Sequence, residues 1–280
     1  MSSYASTLGL NLLAALVLMI LVWLISLIRR DASIVDSFWG LGFVLLAWLT
    51  YSLTDGYGGR SLLLALLVTV WGLRLGIYIT WRNWGQGEDR RYQAMRARHG
   101  DKFWLVSLGT VFTLQAVLMW IISLVVQLGQ IAPQPAHFTW LDIVGVLVWY
   151  TGLIFEAGGD WQLARFKADP ANKGKVMDQG FWAYTRHPNY FGETLIWWGI
   201  FLITLSTPMG VFAAISPLLI TYLLLKVSGV SLLERNLTKT KPRYQDYVAR
   251  TNAFFPWFAR RRIVSGTEEI EDTESTTEED

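Results

Sequence analysis

The sequence predicts an all-α protein that crosses a membrane about seven times. Hydrophobic residues make up 52% of its 280 residues, and the mean hydropathy is +0.33. Charged residues make up 16%, whereas soluble domains usually carry about 25%. Apolar runs long enough to cross a bilayer, about 20 residues each, recur along the chain. These observations exclude an ordinary soluble domain.

The apolar runs divide the chain into three parts. The first run is too long for the core of a signal peptide and lacks a small-residue cleavage site, so we interpret it as a retained anchor within residues 1–30. A membrane domain follows over residues 31–262, and the Thr-, Ser- and Glu-rich residues 263–280 are expected to be a disordered acidic tail. The spans are predicted at residues 8–28, 34–53, 61–81, 104–130, 140–158, 189–205 and 211–230.

Lysine and arginine indicate how the chain is oriented. Of 24 bases, 21 lie after the first span, in 82–103, in 165–186 or in the C-terminal segment, and an odd number of spans puts all of these on one side. Basic loops face the cytoplasm. We therefore expect the N-terminus outside and the C-terminus in the cytoplasm, with the chemistry on the cytoplasmic side. Arg60 is expected in a loop of the opposite side.

A polar run leads directly into the sixth predicted span. Pro188 suits the first position of a helix, because its ring fixes φ and it lacks an N–H, so His187 is the expected cap. Arg186, His187 and the positive end of the helix together favour an anion such as phosphate. Helical spacing then places Asn189 and Glu193 on one face.

Glu193 lies about one turn inside this apolar helix, with Tyr190 beside it. An acid inside a span is costly unless it faces a cavity or a partner, so we predict that Glu193 is a site residue. The preceding span adds Glu156, Asp160 and Lys167 along one helical face. These three side chains either form salt bridges that fix the helix or line a polar pocket, and the acid at position 193 favours the pocket.

The second and third spans also carry polar groups. An arginine inside a span normally pairs with an acid or a ligand, and Asp36 is one possible partner of Arg74. Tyr78 lies one turn further on. Residues 82–103 form a basic amphipathic element that either lies on anionic lipid or brings Arg90, Arg91 and Tyr92 to a phosphate.

The C-terminal segment is charged but interrupted by aromatic residues. Glu234, Arg235, Tyr244 and Tyr247 are expected to fold back over the cytoplasmic end of the bundle. Arg260, Arg261 and Arg262 are expected to bind lipid headgroups.

Three sequence blocks carry a family resemblance: FEAGGDWQLARFK, GFWAYTRHPNYFGETLIWWG and KPRYQDYVARTNAFFP. They resemble the C-terminal half of the steroid 5-alpha-reductase superfamily, and the chain is most similar to the bacterial branch known as the domain of unknown function 1295 family, over about residues 30–257. The resemblance implies a seven-helix fold in a bacterial inner membrane, NADPH held at the cytoplasmic side, and reduction of a C=C bond conjugated to a carbonyl.

The resemblance also implies roles for individual residues. Asn189 and Glu193 match the Asn and Glu of the reductase cofactor motif, and Asp160 matches its helix aspartate. Lys167 falls where steroid reductases use a basic residue toward phosphate. Glu156 stands where those enzymes have an asparagine, so the resemblance does not extend to the steroid itself.

Reduction of an enone needs a donor that polarises the carbonyl as charge develops on its oxygen. Tyr78 or a protonated Asp36 is the predicted donor, since Asp36 stands roughly where the steroid enzymes hold the substrate carbonyl. We count the following residues as candidate cofactor ligands: Arg74, Glu156, Asp160, Lys167, Arg186, His187, Asn189, Tyr190, Glu193, Tyr244 and Tyr247.

Two other functions are compatible with the sequence. Isoprenylcysteine carboxyl methyltransferases share an Arg-His-Pro-x-Tyr core but bind S-adenosylmethionine. A membrane scaffold or transporter is the third candidate, although neither repeats nor paired broken helices are evident. The sequence lacks cysteine and a GxGxxG turn, and its three histidines lie far apart, so neither a metal site nor a Rossmann-type cofactor site is predicted. The expected partners are a lipophilic substrate from the bilayer and membrane lipids, not nucleic acid.

Overall fold

The computed structural model describes residues 4–227, 230, 234 and 244–258, and every regular element in these residues is helical. The prediction of an all-α protein is confirmed. The acidic tail, Arg235 and the three arginines at positions 260–262 lie outside the described residues. The α-helices are α1 (Tyr4–Arg29), α2 (Ile34–Leu53), α3 (Gly58–Asn83), α4 (Arg90–His99), α5 (Phe103–Ser107), α6 (Leu114–Ile131), α7 (Trp140–Ala168), α8 (Phe181–Tyr184), α9 (Pro188–Leu205), α10 (Ile215–Tyr222) and α11 (Tyr244–Arg250).

Short non-α helical segments join several of these helices. A 3-10 turn, Gly100–Lys102, links α4 to α5, and a π segment, Leu108–Thr113, continues α5 into α6. A second π segment, Leu223–Val227, extends α10. The first two of these segments make Arg90–Ile131 one long continuous helical stretch.

Six segments in the described part of the chain are long and apolar enough to cross a membrane, which confirms a polytopic membrane fold. Helix α9 was predicted as a further span, but it falls outside this set because Pro188, Asn189 and Glu193 make its first turns polar. The orientation of the termini stays a prediction. The six segments are Tyr4–Arg29, Ile34–Leu53, Gly58–Asn83, Arg90–Ile131, Trp140–Ala168 and Gly210–Val227.

Helices α7 and α9 approach each other closely through glycines. A Cβ on Gly145 would lie 2.6 Å from the carbonyl oxygen of Gly199, and a Cβ on Gly152 would lie 2.6 Å from that of Gly192. Small residues allow this close contact between helices in a membrane. Because the contacts run in opposite order along the two helices, α9 lies antiparallel to α7, and its polar start lies beside the second half of α7.

An aromatic cluster fixes α9 against α2 and α3. Phe43, Trp71 and Trp197 are almost completely buried, and their ring centroids are 4.9–5.5 Å apart. All three pairs are tilted or edge-to-face, which is the favourable geometry for aromatic rings. This packing aligns the three helices that carry most of the polar residues of the candidate site.

A buried ion pair ties the start of α3 to the start of α7. Arg60 is fully buried, and its Nε lies 2.8 Å from Oδ1 of Asp142. The same guanidinium donates to the carbonyl oxygens of Pro135 and His137. The expectation that Arg60 lies in a loop was wrong, because α3 already begins at Gly58. The buried arginine is accommodated there because Asp142 at the start of α7 pairs with it.

Candidate active site

A cavity of about 360 Å³ opens among the helices that carry the predicted site residues. This volume falls within the range of small-molecule sites, roughly 300–1,000 Å³. One wall is apolar and includes Trp39, Leu75, Leu118, Ile220 and Leu224. The polar lining consists of Asp36, Tyr78, Arg82, Arg91, Tyr92, Gln115, Glu156, Asp160, Asn189, Tyr190 and Glu193.

Arg74 holds two acids of α7 in place beside this cavity. Its Nη2 lies 3.0 Å from Oε1 of Glu156 and 2.8 Å from Oδ2 of Asp160. The indole of Trp71 donates to Glu156 at 3.1 Å, and the amide of Asn189 donates to Asp160 at 3.2 Å. One guanidinium thus partners two largely buried carboxylates one helical turn apart.

Asp36 pairs with helix α4 and not with Arg74. Its Oδ2 lies 2.9 Å from Nη2 of Arg91, and its Oδ1 accepts a hydrogen bond from the hydroxyl of Tyr92 at 3.1 Å. The possible Asp36–Arg74 pair is therefore not formed. Both oxygens of Asp36 act as acceptors, so its expected role as a protonated donor does not fit this geometry.

Glu193 faces the cavity and is half-buried. Among the residues that the structure describes, its carboxylate makes no hydrogen bond and no ion pair. Asn189, one turn earlier, has a buried Oδ1 that accepts no hydrogen bond there either. These two acceptors are therefore open to a ligand in the cavity.

Two tyrosines place hydroxyl groups at the same cavity. The hydroxyl of Tyr78 lies 3.4 Å from the carbonyl oxygen of Asp160, which is a long hydrogen bond. The ring of Tyr190 stacks on the ring of His187, with centroids 5.6 Å apart. Of the predicted site residues, the structure brings the following together around this cavity: Asp36, Tyr78, Glu156, Asp160, Asn189, Tyr190 and Glu193.

Lys167 does not belong to this cavity. It is exposed at the end of α7, where it lines a separate small depression with the loop that follows. Lys167 shares a helical face with Glu156, but it lies 11 residues further on, about 16 Å along the helix axis. Its expected cofactor role is not supported by this position.

Arg186 and His187 are buried and bind the C-terminal part of the chain. The Nε of Arg186 lies 2.8 Å from Oε1 of Glu234, and Nε2 of His187 lies 3.0 Å from the same oxygen. Arg186 also donates to the backbone carbonyl oxygens of Val248 and Thr251. His187 caps α9 and Pro188 begins it, as predicted, but the expected anion is replaced here by a carboxylate of the protein.

The contact between Arg186, His187 and Glu234 shifts the pKa of the carboxyl group. Burial alone would raise the pKa of Glu234, but the hydrogen bonds from His187 and Arg186 lower it to about 2. Burial raises the pKa of Tyr244 to about 12. Tyr247 is buried as well, and its hydroxyl donates to the carbonyl oxygen of Trp182. The two tyrosines fold back on the start of α9, yet neither lines the cavity.

Sequence reasoning missed part of the cavity wall. Gln115 of α6 and Arg82 at the end of α3 both line it. The sequence contains an indication of each residue. Gln115 is a polar residue in an apolar run, and Arg82 follows Arg74 by about two helical turns. Of the basic amphipathic element, Arg91 and Tyr92 reach the cavity, whereas Arg90 does not line it.

Comparisons with known proteins identify one matching family and two more distant similarities. The chain is 32% identical over 104 residues to the Delta(14)-sterol reductase of Ascobolus immersus, and the match covers 32% of this chain and about a quarter of the reductase (24%). It is 24% identical over 277 residues to the uncharacterized protein C594.04c of Schizosaccharomyces pombe, with 88% of this chain and 78% of that protein covered. No solved structure matches the chain significantly. The family described as "Protein of unknown function (DUF1295)" matches residues 22–251, and the chain belongs to this family.

Proposed function

We propose that this protein is an integral membrane reductase that uses NADPH to reduce a C=C bond conjugated to a carbonyl in a lipophilic substrate. The observation that carries the proposal is Glu193, whose carboxylate faces a cavity among membrane-spanning helices and makes no hydrogen bond or ion pair with the described residues. An ionisable group in such a position indicates a ligand site. Similarity to the sterol reductase of Ascobolus immersus supports the class of reaction.

The cavity residues fit the polar groups of NADPH. The nicotinamide carboxamide donates two N–H hydrogens, and the free acceptors of Glu193 and Asn189 suit them. Phosphate groups favour guanidinium partners, and Arg82 and Arg91 line the same cavity. Glu193 and Asn189 would therefore hold the carboxamide, while the two arginines would hold phosphate.

Bound NADPH would supply a hydride to the β-carbon of the enone. The task of the chain is to stabilise the negative charge that develops on the carbonyl oxygen. Tyr78 suits this task, because it lines the cavity and its hydroxyl makes a long hydrogen bond to the backbone and a contact with the guanidinium of Arg82. Asp36 would instead position Arg91 and Tyr92, since both of its oxygens are already engaged.

One observation favours a second candidate, methyl transfer from S-adenosylmethionine. That cofactor carries a sulfonium cation, and four carboxylates line the cavity, namely those of Asp36, Glu156, Asp160 and Glu193. Three of the four already pair with an arginine, so one carboxylate remains for a cation. We therefore place methyl transfer second.

Calorimetry on the detergent-solubilised protein separates the two candidates. We expect NADPH to bind and S-adenosylmethionine not to bind. Glu193→Gln should weaken the binding of NADPH by roughly 1.5–3 kcal/mol, the range for a hydrogen bond to a charged group. Asp101→Asn, at an exposed acid outside the cavity, is the matched control and should leave binding unchanged. Binding of S-adenosylmethionine alone would overturn the reductase proposal.

A further inference from the structure

A groove between α3 and α7 opens on the side of the bundle, next to the candidate site. We call it the α3–α7 groove. Its volume is about 440 Å³, and its walls are mainly apolar. Trp81 comes from α3, and Ala157, Trp161, Ala164 and Ala168 come from α7. The groove therefore presents a hydrocarbon surface beside the polar cavity.

The groove exists because long side chains hold α3 and α7 apart. Trp71 bridges to Glu156, and the guanidinium of Arg74 bridges to the same acid and to Asp160. Further toward the ends of these helices, the residues of α7 that line the space include the small Ala164 and Ala168, which do not fill it. Helices α7 and α9, in contrast, close on each other through glycines.

The groove adjoins the cavity. Tyr78 and Asp160 line both of them, so these two side chains lie between the two spaces. Arg74 lines the groove and keeps 20% of its side chain exposed. Polar groups that face only hydrocarbon are costly. The inner end of the groove therefore suits the polar head of an amphiphile better than bulk acyl chains.

Tryptophans flank the outer part of the groove. Trp81 is 63% exposed and Trp161 is 60% exposed. The guanidinium of Arg165 lies 5.5 Å from the centre of the ring of Trp161. Tryptophan and arginine are typical of the membrane–water interface. The groove therefore opens at a depth where a lipid presents its head and the upper part of its chain.

We propose that the α3–α7 groove binds the linear hydrocarbon chain of a membrane amphiphile whose carbonyl head reaches the cavity beside Tyr78. The assignment of a carbonyl group as the head of the amphiphile rests on the proposed function, whereas the binding of its hydrocarbon chain in the groove does not. The substrate class is a long-chain unsaturated ketone, and the groove is its route from the bilayer to the candidate site.

Thiol labelling tests the binding of the chain without any turnover. The sequence contains no cysteine, so Ala164→Cys provides a single thiol in the groove. N-ethylmaleimide should label it about tenfold more slowly when 2-octadecanone is present at about ten times its dissociation constant, because the free fraction falls in that proportion. The short ketone 2-pentanone should give no protection. Ile154→Cys, on the exposed side of α7 outside the groove, is the matched control.

Equal labelling of Cys at position 164 with and without 2-octadecanone would overturn the proposal. Equal slowing at positions 164 and 154 would overturn it as well, because it would show a general effect of the detergent micelle. If no enone is reduced by the unmodified protein, the proposed function fails while the labelling result still decides the role of the groove.

A kinetic test then joins the groove to the reaction. Ala164→Phe fills the groove, so it should raise KM for a long-chain enone about tenfold, the effect of losing about 1.4 kcal/mol of binding. KM for a short-chain enone and the affinity for NADPH should not change. Ile154→Phe should alter none of these values. An unchanged KM for the long-chain enone in a folded Ala164→Phe protein would contradict the proposal.

Discussion

The guanidinium of Arg74 lies 2.8 Å from the carboxylate of Asp160, and this ion pair joins α3 to α7 directly beside the cavity. The same guanidinium also neutralises Glu156. Removal of Arg74 would leave two largely buried carboxylates without their cation. The pair therefore makes the stability of the bundle depend on a residue of the candidate site.

Arg74→Ala should destabilise the protein strongly. Breaking a buried ion pair by removing one partner costs about 3–5 kcal/mol, because the other charge stays buried. Thermal unfolding followed by size-exclusion chromatography should show a clearly lower midpoint. Arg82→Ala is the matched control, since Arg82 is exposed, and it should unfold like the unmodified protein. Equal midpoints for the two variants would contradict this assignment.

Arg82→Ala should nevertheless weaken the binding of NADPH. Arg82 lines the cavity, and loss of one charge-assisted hydrogen bond to phosphate should weaken NADPH by roughly 1.5–3 kcal/mol. Lys167→Ala should leave the affinity unchanged, because Lys167 lies outside the cavity. Calorimetry with both variants measures the difference. A loss of NADPH affinity in Lys167→Ala alone would contradict this prediction and would indicate that the phosphate site lies at the end of α7.

Tyr78→Phe should separate chemistry from binding. The substitution removes one hydroxyl and little volume, so folding and NADPH affinity should be preserved. Turnover of an enone should fall by roughly 100-fold or more, the usual scale for the loss of one oxyanion donor. Tyr150→Phe, at an exposed tyrosine of α7, is the control and should keep full activity. Full turnover by Tyr78→Phe would remove Tyr78 from the mechanism.

The contact between Glu234 and the pair Arg186–His187 should make stability depend on pH. The pKa of Glu234 lies at about 2, below its ordinary value of 4.5. The ionised carboxylate therefore contributes stability that is complete above pH 4.5 and is lost as the pH falls toward 2.

Glu234→Gln isolates this contribution. The variant should unfold at a lower temperature than the unmodified protein at neutral pH, by the equivalent of roughly 1–3 kcal/mol. Thermal unfolding of both proteins from pH 7 down to pH 3 provides the comparison. The difference should stay constant above about pH 5 and shrink below it. A difference that persists or grows on acidification would show that the carboxylate is not its source.

The fold was largely predictable from the sequence, because long apolar runs with helical spacing report directly on membrane helices. The start of α9 was predictable as well, since Pro188 restricts the backbone locally. The polar residues inside the spans identified most of the cavity, because such residues are costly in lipid without a function. These inferences all depend on local chemistry.

The partners of the charged residues were not predictable in the same way. Asp36 binds Arg91 and not Arg74. This pairing depends on the rotation of α2 and the placement of α4, which are tertiary properties that the local sequence does not determine. Arg186 and His187 have the local chemistry of an anion site, yet both already pair with Glu234, which lies 47 residues beyond His187 in the chain. The sequence predicted that Glu234 folds back over the bundle, but its pairing with these two residues depends on the tertiary fold.

The transfer of deuterium from NADPH that carries deuterium at both hydrogen positions of the nicotinamide C4 tests the central claim most directly. The purified protein is incubated with the labelled cofactor and an enone, and the product is analysed by mass spectrometry. The account predicts a saturated ketone that carries one deuterium at the former β-carbon, formed more slowly by Tyr78→Phe with the label at the same position. A saturated ketone without deuterium, or a methylated product formed only with S-adenosylmethionine, would contradict it.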